Sequence, residues 1–152
     1  MKAPLKSRQA GATAVEFALV LIFFLTFLLG ITDFSRMLFT WNAANEATRA
    51  GARYAVVCDD TTQKPLVLAK MQAMLPQITD INLDWEDDAG AINTCSAGTC
   101  VGVTVTIVDL KYHWISPIAG LLSKAPIDMP TFKTYLSREI MRQDPNSVAI
   151  CS

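Results

Sequence analysis

The strongest constraint on this chain is a long apolar run near its N-terminus, Ala12–Thr32. Apart from Glu16, close to its start, the run carries no charged residue. A helix needs about 20 residues, each rising 1.5 Å, to cross a hydrocarbon core of about 30 Å. The run contains 21 residues and is therefore long enough to cross a membrane.

Charged residues on either side of the run predict its orientation. Lys2, Lys6 and Arg8 precede the run without any acid, and Asp33 follows it. Lysine and arginine are enriched on the cytoplasmic side of membrane spans. We therefore expect the N-terminus to lie in the cytoplasm and the rest of the chain to be exported.

The composition favours an anchor followed by one small domain. Apolar residues make up 51% of the chain, and much of their excess over a soluble domain lies in the first forty residues. The length of 152 residues allows a single core beside the anchor. The 13 basic and 14 acidic residues nearly balance, so nucleic acid is not expected as a partner.

Three interpretations of the N-terminus are open from the residues alone. A cleaved secretory signal peptide has an apolar stretch of only about 7 to 15 residues, and the best small-x-small site here, Gly30 to Thr32, is a poor one. A plain single-pass anchor explains everything except Glu16, since a carboxylate costs about 2.5 to 3.5 kcal/mol at the bilayer centre and less near a membrane face. The third interpretation rests on the basic leader that ends at Gly11.

The leader and the start of the apolar run resemble a prepilin-peptidase site. Gly11 is followed by Ala12, and Glu16 is the fifth residue counted from a cut between them. The resemblance extends through the stretches "AVEFALV", "GITDFSR" and "ATRAGARYA". On these motifs, residues 11–56 are similar to the TadE family of minor pilins and pseudopilins of the tight-adherence (Tad/Flp, type IVb) pilus system.

The resemblance implies a mechanical function without a catalytic residue or a cofactor. A prepilin peptidase would remove residues 1–11 by cutting between Gly11 and Ala12, and Glu16 would act in assembly. The protein would lie in the bacterial inner membrane and initiate, prime or cap the pilus. Its partners would be the prepilin peptidase, the major and other minor pilin subunits, and the proteins of the assembly platform. The alternative is a single-pass inner-membrane anchor with a periplasmic domain that binds a ligand or partner.

The helix is expected to continue beyond the membrane. Large apolar residues recur at helical spacing from Phe34 to Trp41, and small residues extend the same stripe. No proline interrupts the chain between Pro4 and Pro65. The sequence therefore predicts a helix over Ala14–Val56, about 65 Å long, that serves as a spine for packing.

The fold class predicted is α+β and pilin-like: a long N-terminal transmembrane and spine helix, then a small antiparallel sheet with a short packed helix. The predicted segments are a cleaved leader (1–11), the membrane and spine helix (12–57) and a periplasmic domain (58–152). Hydrophobic periodicity within the last segment predicts a helix and three strands, at 65–75, 80–85, 100–114 and 131–143. The apolar side of the middle strand changes near Val108, which indicates a bulge or a second covered face.

Four cysteines lie on the exported side of the span: Cys58, Cys95, Cys100 and Cys151. An oxidising periplasm favours disulfides, and four cysteines allow three pairings. Cys95 with Cys100 would close a local loop, and Cys58 with Cys151 would tie the end of the spine to the C-terminus. The alternative is a zinc site made of these thiols and His113, but the C-x-x-C spacing typical of such sites is missing.

Other candidate chemistry is sparse. Asp84, Glu86 and Asp88 alternate as in a calcium loop, yet the glycine comes one position late and Cys95 stands where a bidentate glutamate belongs. A solvated acidic loop is the expected structure. The chain has one histidine, His113, without the motif of a nucleophile or paired acid, and it has no glycine-rich phosphate loop.

Overall fold

The computed structural model describes residues 10–58, 64–96, 99–116 and 126–138. It contains a long helix, a short helix and antiparallel strands, which confirms the predicted α+β class. In chain order the elements are α1 (Ala10–Cys58), α2 (Lys64–Met74), β1 (Asp80–Glu86), β2 (Gly102–Val108), β3 (Lys111–Tyr112), β4 (Ile127–Asp128) and β5 (Lys133–Ser137).

The chain divides into two compact units. The first comprises Met1–Arg36 and Trp114–Ala125, and the second comprises Met37–His113 and Pro126–Ser152. The helix α1 passes from one unit to the other between Arg36 and Met37 without a break, as the absence of proline predicts.

The second unit is built on a three-stranded antiparallel sheet in the order β1-β2-β5. The central strand β2 pairs along its whole length with β1, from Asp80↔Val108 to Glu86↔Gly102. Alternate residues point to the core, as the apolar alternation predicts. The buried side chains of β1 and β2 are Ile81, Trp85, Val103, Val105 and Ile107.

The predicted middle strand is interrupted, which corrects its extent. Asp109 has a φ of 52°, in the left-handed region that extended strands do not use. The chain therefore leaves the first sheet after Val108, and β3 pairs with β4 in a separate two-stranded sheet. Tyr112 of β3 is 1% exposed, so the change of apolar side marks a new element and not a bulge.

The second half of α1 packs through small side chains. Ala44, Ala47 and Ala52 are fully buried, and a Cβ atom placed on Gly51 would lie 2.6 Å from Met71 Sδ of α2. This close approach requires a residue without a side chain. Thr48 shares a hydroxyl hydrogen bond of 2.9 Å with Thr134 of β5. The Trp41 and Phe132 rings meet edge to face, with centroids 5.3 Å apart.

The apolar spacing of α2 predicts that Leu68, Met71, Met74 and Leu75 face the core, and Met71 and Leu75 are buried as predicted. Val67 is also buried, whereas Met74 is 46% exposed. The reason is that Met71 and Val67 are the side chains that reach Gly51 of α1. Lys64, at the start of α2, forms an ion pair of 2.7 Å with Asp80 of β1.

The last strand is shorter than predicted within the described residues. β5 covers Lys133–Ser137, and the remainder of the predicted strand, 139–143, lies outside the described ranges. Alternation predicts that Phe132 and Arg138 lie on the opposite face from Lys133 and Tyr135; the first two are buried and the last two are exposed. The sequence favours a loop with a helical turn over 114–126, and most of this segment lies outside the described ranges.

Candidate membrane and processing site

The predicted processing residues lie in the first turn of α1. This helix begins at Ala10, so the peptide bond between Gly11 and Ala12 is inside it, and residues 1–9 of the leader lie outside the described ranges. A Cβ atom placed on Gly11 would meet nothing within 4 Å. Contacts among the described residues therefore do not explain the glycine, and recognition by a peptidase stays a prediction.

Glu16 is exposed on α1, one turn after Ala12. Residues four apart lie on the same face of a helix. A cut before Ala12 would create an amine beside this carboxylate. The processing and assembly roles of Gly11, Ala12 and Glu16 remain predictions.

The first half of α1 exposes a continuous apolar surface. Phe17, Phe23 and Phe27 are 67%, 74% and 72% exposed. A soluble monomer rarely exposes apolar patches of more than a few hundred Å². Among the helices of the described residues, α1 alone is long and apolar enough to cross a membrane. The large apolar side chains exposed along it are Val15, Phe17, Leu19, Val20, Leu21, Ile22, Phe23, Phe24, Leu25, Phe27, Leu28, Ile31, Phe34, Leu38, Phe39 and Trp41.

The threonines within this surface bond to the helix itself. The Thr26 hydroxyl donates to the Ile22 carbonyl at 2.8 Å, and the Thr32 hydroxyl donates to the Leu29 carbonyl at 2.8 Å. A polar group in hydrocarbon needs a partner within the protein, because lipid offers none. Both side chains therefore meet the requirement of a membrane segment.

Asp33 ends the apolar run and is 3% exposed. Its Oδ1 accepts the backbone N–H of Ile115 at 3.1 Å, and its Oδ2 accepts that of Ser116 at 3.0 Å. In the sequence, Asp33 is recognisable only as a charge at the boundary of the apolar run. Its partners are 82 and 83 residues away along the chain, and no local pattern reveals such a contact.

The comparison with protein families bears on the same helix. Residues 11–53 match the family model described as TadE-like protein. This match confirms the resemblance seen in the motifs of the N-terminal third. Comparisons with curated proteins and with solved structures gave no match.

The TadE-like segment contains both kinds of helix surface. It includes Gly11, Ala12 and Glu16, the exposed apolar run, and the buried small residues as far as Ala52. The family match therefore covers the membrane-compatible part of α1 together with most of the part that packs in the second unit.

The predicted disulfide chemistry is present outside the TadE-like segment. Cys95 and Cys100 are bonded to each other, with Cα atoms 5.2 Å apart. Cys58, at the end of α1, is also disulfide-bonded, and Cys151, its predicted partner, lies outside the described residues. No cysteine in the described ranges is free.

The acidic loop after β1 is organised by its own backbone. Asp87 Oδ1 accepts the N–H groups of Ala89 and Ala91 at 2.9 and 2.8 Å, and Oδ2 accepts the Thr94 hydroxyl at 2.9 Å. The Ala91 N–H and then the Thr94 hydroxyl lower the pKa of Asp87, since they stabilise the charged form.

No cluster of metal ligands is found among the described residues. They contain no group of three or more His, Cys, Asp or Glu side chains arranged to hold an ion. Gly90, with a φ of 77°, completes the turn that the amides of the acidic loop form around Asp87. His113 is exposed just after β3.

Proposed function

We propose that this protein is a minor pilin or pseudopilin that takes part in initiating, priming or capping a tight-adherence type IV pilus. The TadE-like match over residues 11–53 is the observation that carries the proposal. The protein is anchored once in the bacterial inner membrane, with its N-terminus in the cytoplasm and residues 58–152 in the periplasm. Its role is mechanical and involves no catalysis.

The exposed apolar surface of α1 supports this role. A pilus subunit exchanges lipid for neighbouring helices when it enters a fibre or a priming complex. Such an exchange costs little when the side chains are apolar and every polar group is satisfied within the helix. Thr26 and Thr32 meet this condition through their bonds to α1 carbonyls.

The proposed processing produces the group that Glu16 needs. Prepilin peptidase cuts between Gly11 and Ala12 and removes residues 1–11. The new amine and the Glu16 carboxylate are then opposite charges at one apolar helix end. An unpaired charge costs more than a paired one where the dielectric is low, so pairing within or between subunits sets the register of the bundle.

The test compares two glutamates of α1 in cells that carry the pilus system. Glu16→Gln removes the charge and keeps the shape, and Glu46→Gln makes the same change at an exposed residue that pairs with Arg49. We expect both variants to insert and fold, and we expect Glu16→Gln alone to lose copurification with pilin subunits and to reduce the number of surface fibres.

Intact-mass measurement on the same membranes tests processing. The expected mature chain begins at Ala12, and Gly11→Leu should leave the leader attached. A full-length mass in cells that contain the peptidase, together with normal fibres in Glu16→Gln, would contradict the proposal. That result would favour a single-pass envelope protein whose periplasmic domain binds a ligand or partner.

A further inference from the structure

Asp33 is a buried carboxylate that accepts hydrogen bonds through both of its oxygens. Asp33 accepts the N–H groups of Ile115 and Ser116 at 3.1 and 3.0 Å, and only 3% of the residue is exposed. Hydrogen bonds to a charged acceptor are stronger than those between neutral groups. Two of them on consecutive amides hold the backbone of residues 114–116 against the helix position of Asp33.

The position of Asp33 along α1 indicates the depth of residues 114–116 relative to a membrane that α1 would span. Asp33 directly follows the apolar run Ala12–Thr32 and is the first charged residue after Glu16. A bilayer-spanning helix leaves the hydrocarbon where its apolar run ends. Residues 114–116 are therefore held at the level where the apolar surface of α1 meets the headgroups.

The side chains of residues 114 and 115 are of the kind found at the membrane interface. Trp114 is 38% exposed and Ile115 is 63% exposed. On α1, the apolar residues on either side of Asp33 are also exposed: Ile31 at 51% and Phe34 at 55%. Tryptophan is enriched at membrane interfaces because its ring is amphipathic. The two exposed residues continue the apolar surface of α1 at its end.

We propose that Trp114 and Ile115 insert into the interfacial region of the leaflet where α1 ends, so that the protein contacts phospholipid at a second place in its sequence. Asp33 is the positioning residue that sets the depth of this contact. The inference requires α1 to cross a membrane and does not depend on the role in pilus assembly. A neighbouring protein helix covering the same residues is the competing occupant.

The experiment uses the full chain in phosphatidylcholine vesicles with Trp114 as the single tryptophan. Trp41→Phe and Trp85→Phe remove the other two and keep aromatic rings in both places. Lipids brominated near the glycerol end of the acyl chain should quench Trp114 emission by roughly half, and lipids brominated near the methyl end should quench it less. The matched control keeps Trp85 alone, which is 3% exposed and should not be quenched.

The role of Asp33 is tested in the same background. Asp33→Ala removes both acceptors and should reduce the quenching of Trp114 by shallow bromine about two-fold or more. Asp88→Ala removes an exposed carboxylate from the acidic loop and should leave the quenching unchanged. Equal quenching in Asp33→Ala and the parent chain would overturn the positioning role.

A reporter inside the span separates failure of this inference from failure of the anchor. Phe24→Trp, in a chain whose own tryptophans are all replaced by Phe, should be quenched most by bromine near the methyl end. Quenching of that reporter without any quenching of Trp114 would overturn the interfacial contact and leave the anchor in place. Absence of quenching at both positions would overturn the contact and the membrane span together.

Discussion

The two halves of α1, residues 10–36 and 37–58, have the same helical backbone but differ in the size and burial of their side chains. In the first half the side chains are large and exposed, as with Phe23 at 74%. In the second half the side chains that are buried are mostly small, as with Ala47 at 0%, while Phe39 and Trp41 stay exposed. Both halves are helical, so helix formation does not explain the difference. The halves differ in the size of their side chains and in the elements that pack against them.

The difference shows where each half finds its apolar partner. A buried alanine contributes little area itself, but it lets larger side chains of other elements come close. Gly51 does so most clearly, since Met71 lies where a side chain would be. The second half is thus completed by the rest of its own chain, whereas the apolar side chains of the first half stay exposed among the described residues, a surface compatible with a membrane span.

The largest loss of stability is expected from substitutions where α2 packs against the second half of α1. Met71→Ala should lower the free energy of unfolding by about 4 kcal/mol, because it leaves a cavity at a fully buried site. Met74→Ala, three residues along the same helix and 46% exposed, is the control and should change it by less than about 1 kcal/mol. Denaturation of the full chain in detergent, followed by tryptophan fluorescence, measures both. Similar losses in the two variants would mean that α2 does not pack on α1 in this orientation.

A charge placed in the first half should leave folding intact and oppose insertion. Phe23→Asp lies near the middle of the apolar run and should cost about 3 kcal/mol of membrane insertion. Phe39→Asp, at a residue 70% exposed but beyond the run, should cost much less. Alkaline extraction of membranes compares the two. If both variants remain fully inserted, the exposed half is not surrounded by hydrocarbon.

The glycines of α1 provide a matched pair across the two halves. Gly51→Leu should destabilise the domain by about 2 kcal/mol, since overpacking against Met71 exceeds the gain in helix propensity. Gly30→Leu, where a new Cβ meets nothing within 4 Å, should cause no loss. Chemical denaturation measures each, and adding Met71→Ala to Gly51→Leu should restore part of the loss. Equal changes in the free energy of unfolding in the two glycine variants would contradict the claim that only the second half packs closely.

The smallest expected effect is a pH dependence within the domain that surrounds the second half. The hydrogen bond from the Lys64 ammonium, and then the Ile81 N–H, lower the pKa of Asp80. A carboxyl whose pKa is lower in the folded state stabilises fully above its unfolded pKa of about 3.9, and this is lost as the pH falls through the folded value. The pair is solvent-exposed, so the effect is modest.

Asp80→Asn isolates this contribution. The variant should differ from the parent chain in stability at neutral pH and converge with it in acid; Asp128→Asn, at an exposed residue of β4, is the control. Thermal unfolding from pH 7 down to about 2 records the difference. A constant difference at every pH would mean that the Lys64 pairing does not depend on the charge of Asp80.

Local patterns were sufficient to predict the elements that depend on local rules. The helix α1 follows from apolar periodicity and from the lack of proline, and β1 follows from the alternation around Trp85. The break at Asp109 is visible in the sequence only as a change of the apolar side near Val108. A single left-handed residue leaves no periodic trace, and aspartate is one of several residue types that tolerate this conformation.

The contacts that were not predicted join distant parts of the chain. The predicted core-facing side of α2 is wrong at Met74, because which residues of α2 are buried depends on the position of Gly51 in α1. The attachment of residues 115 and 116 to Asp33 uses backbone N–H groups, which every residue except proline carries. The residue types in the sequence therefore do not indicate which backbone amides a buried carboxylate will bind.

The hydroxyl pair of Thr48 and Thr134 has a consequence for force along the helix. Alanines at neighbouring turns have the same shape, so a helix displaced by one turn, about 5.4 Å, would still present small residues to the sheet. Neither Thr48 nor Trp41 recurs three or four residues further along. Tension on α1 would therefore strain the Thr48–Thr134 bond and the Trp41–Phe132 contact together, and the domain would resist slipping by shear at these two places.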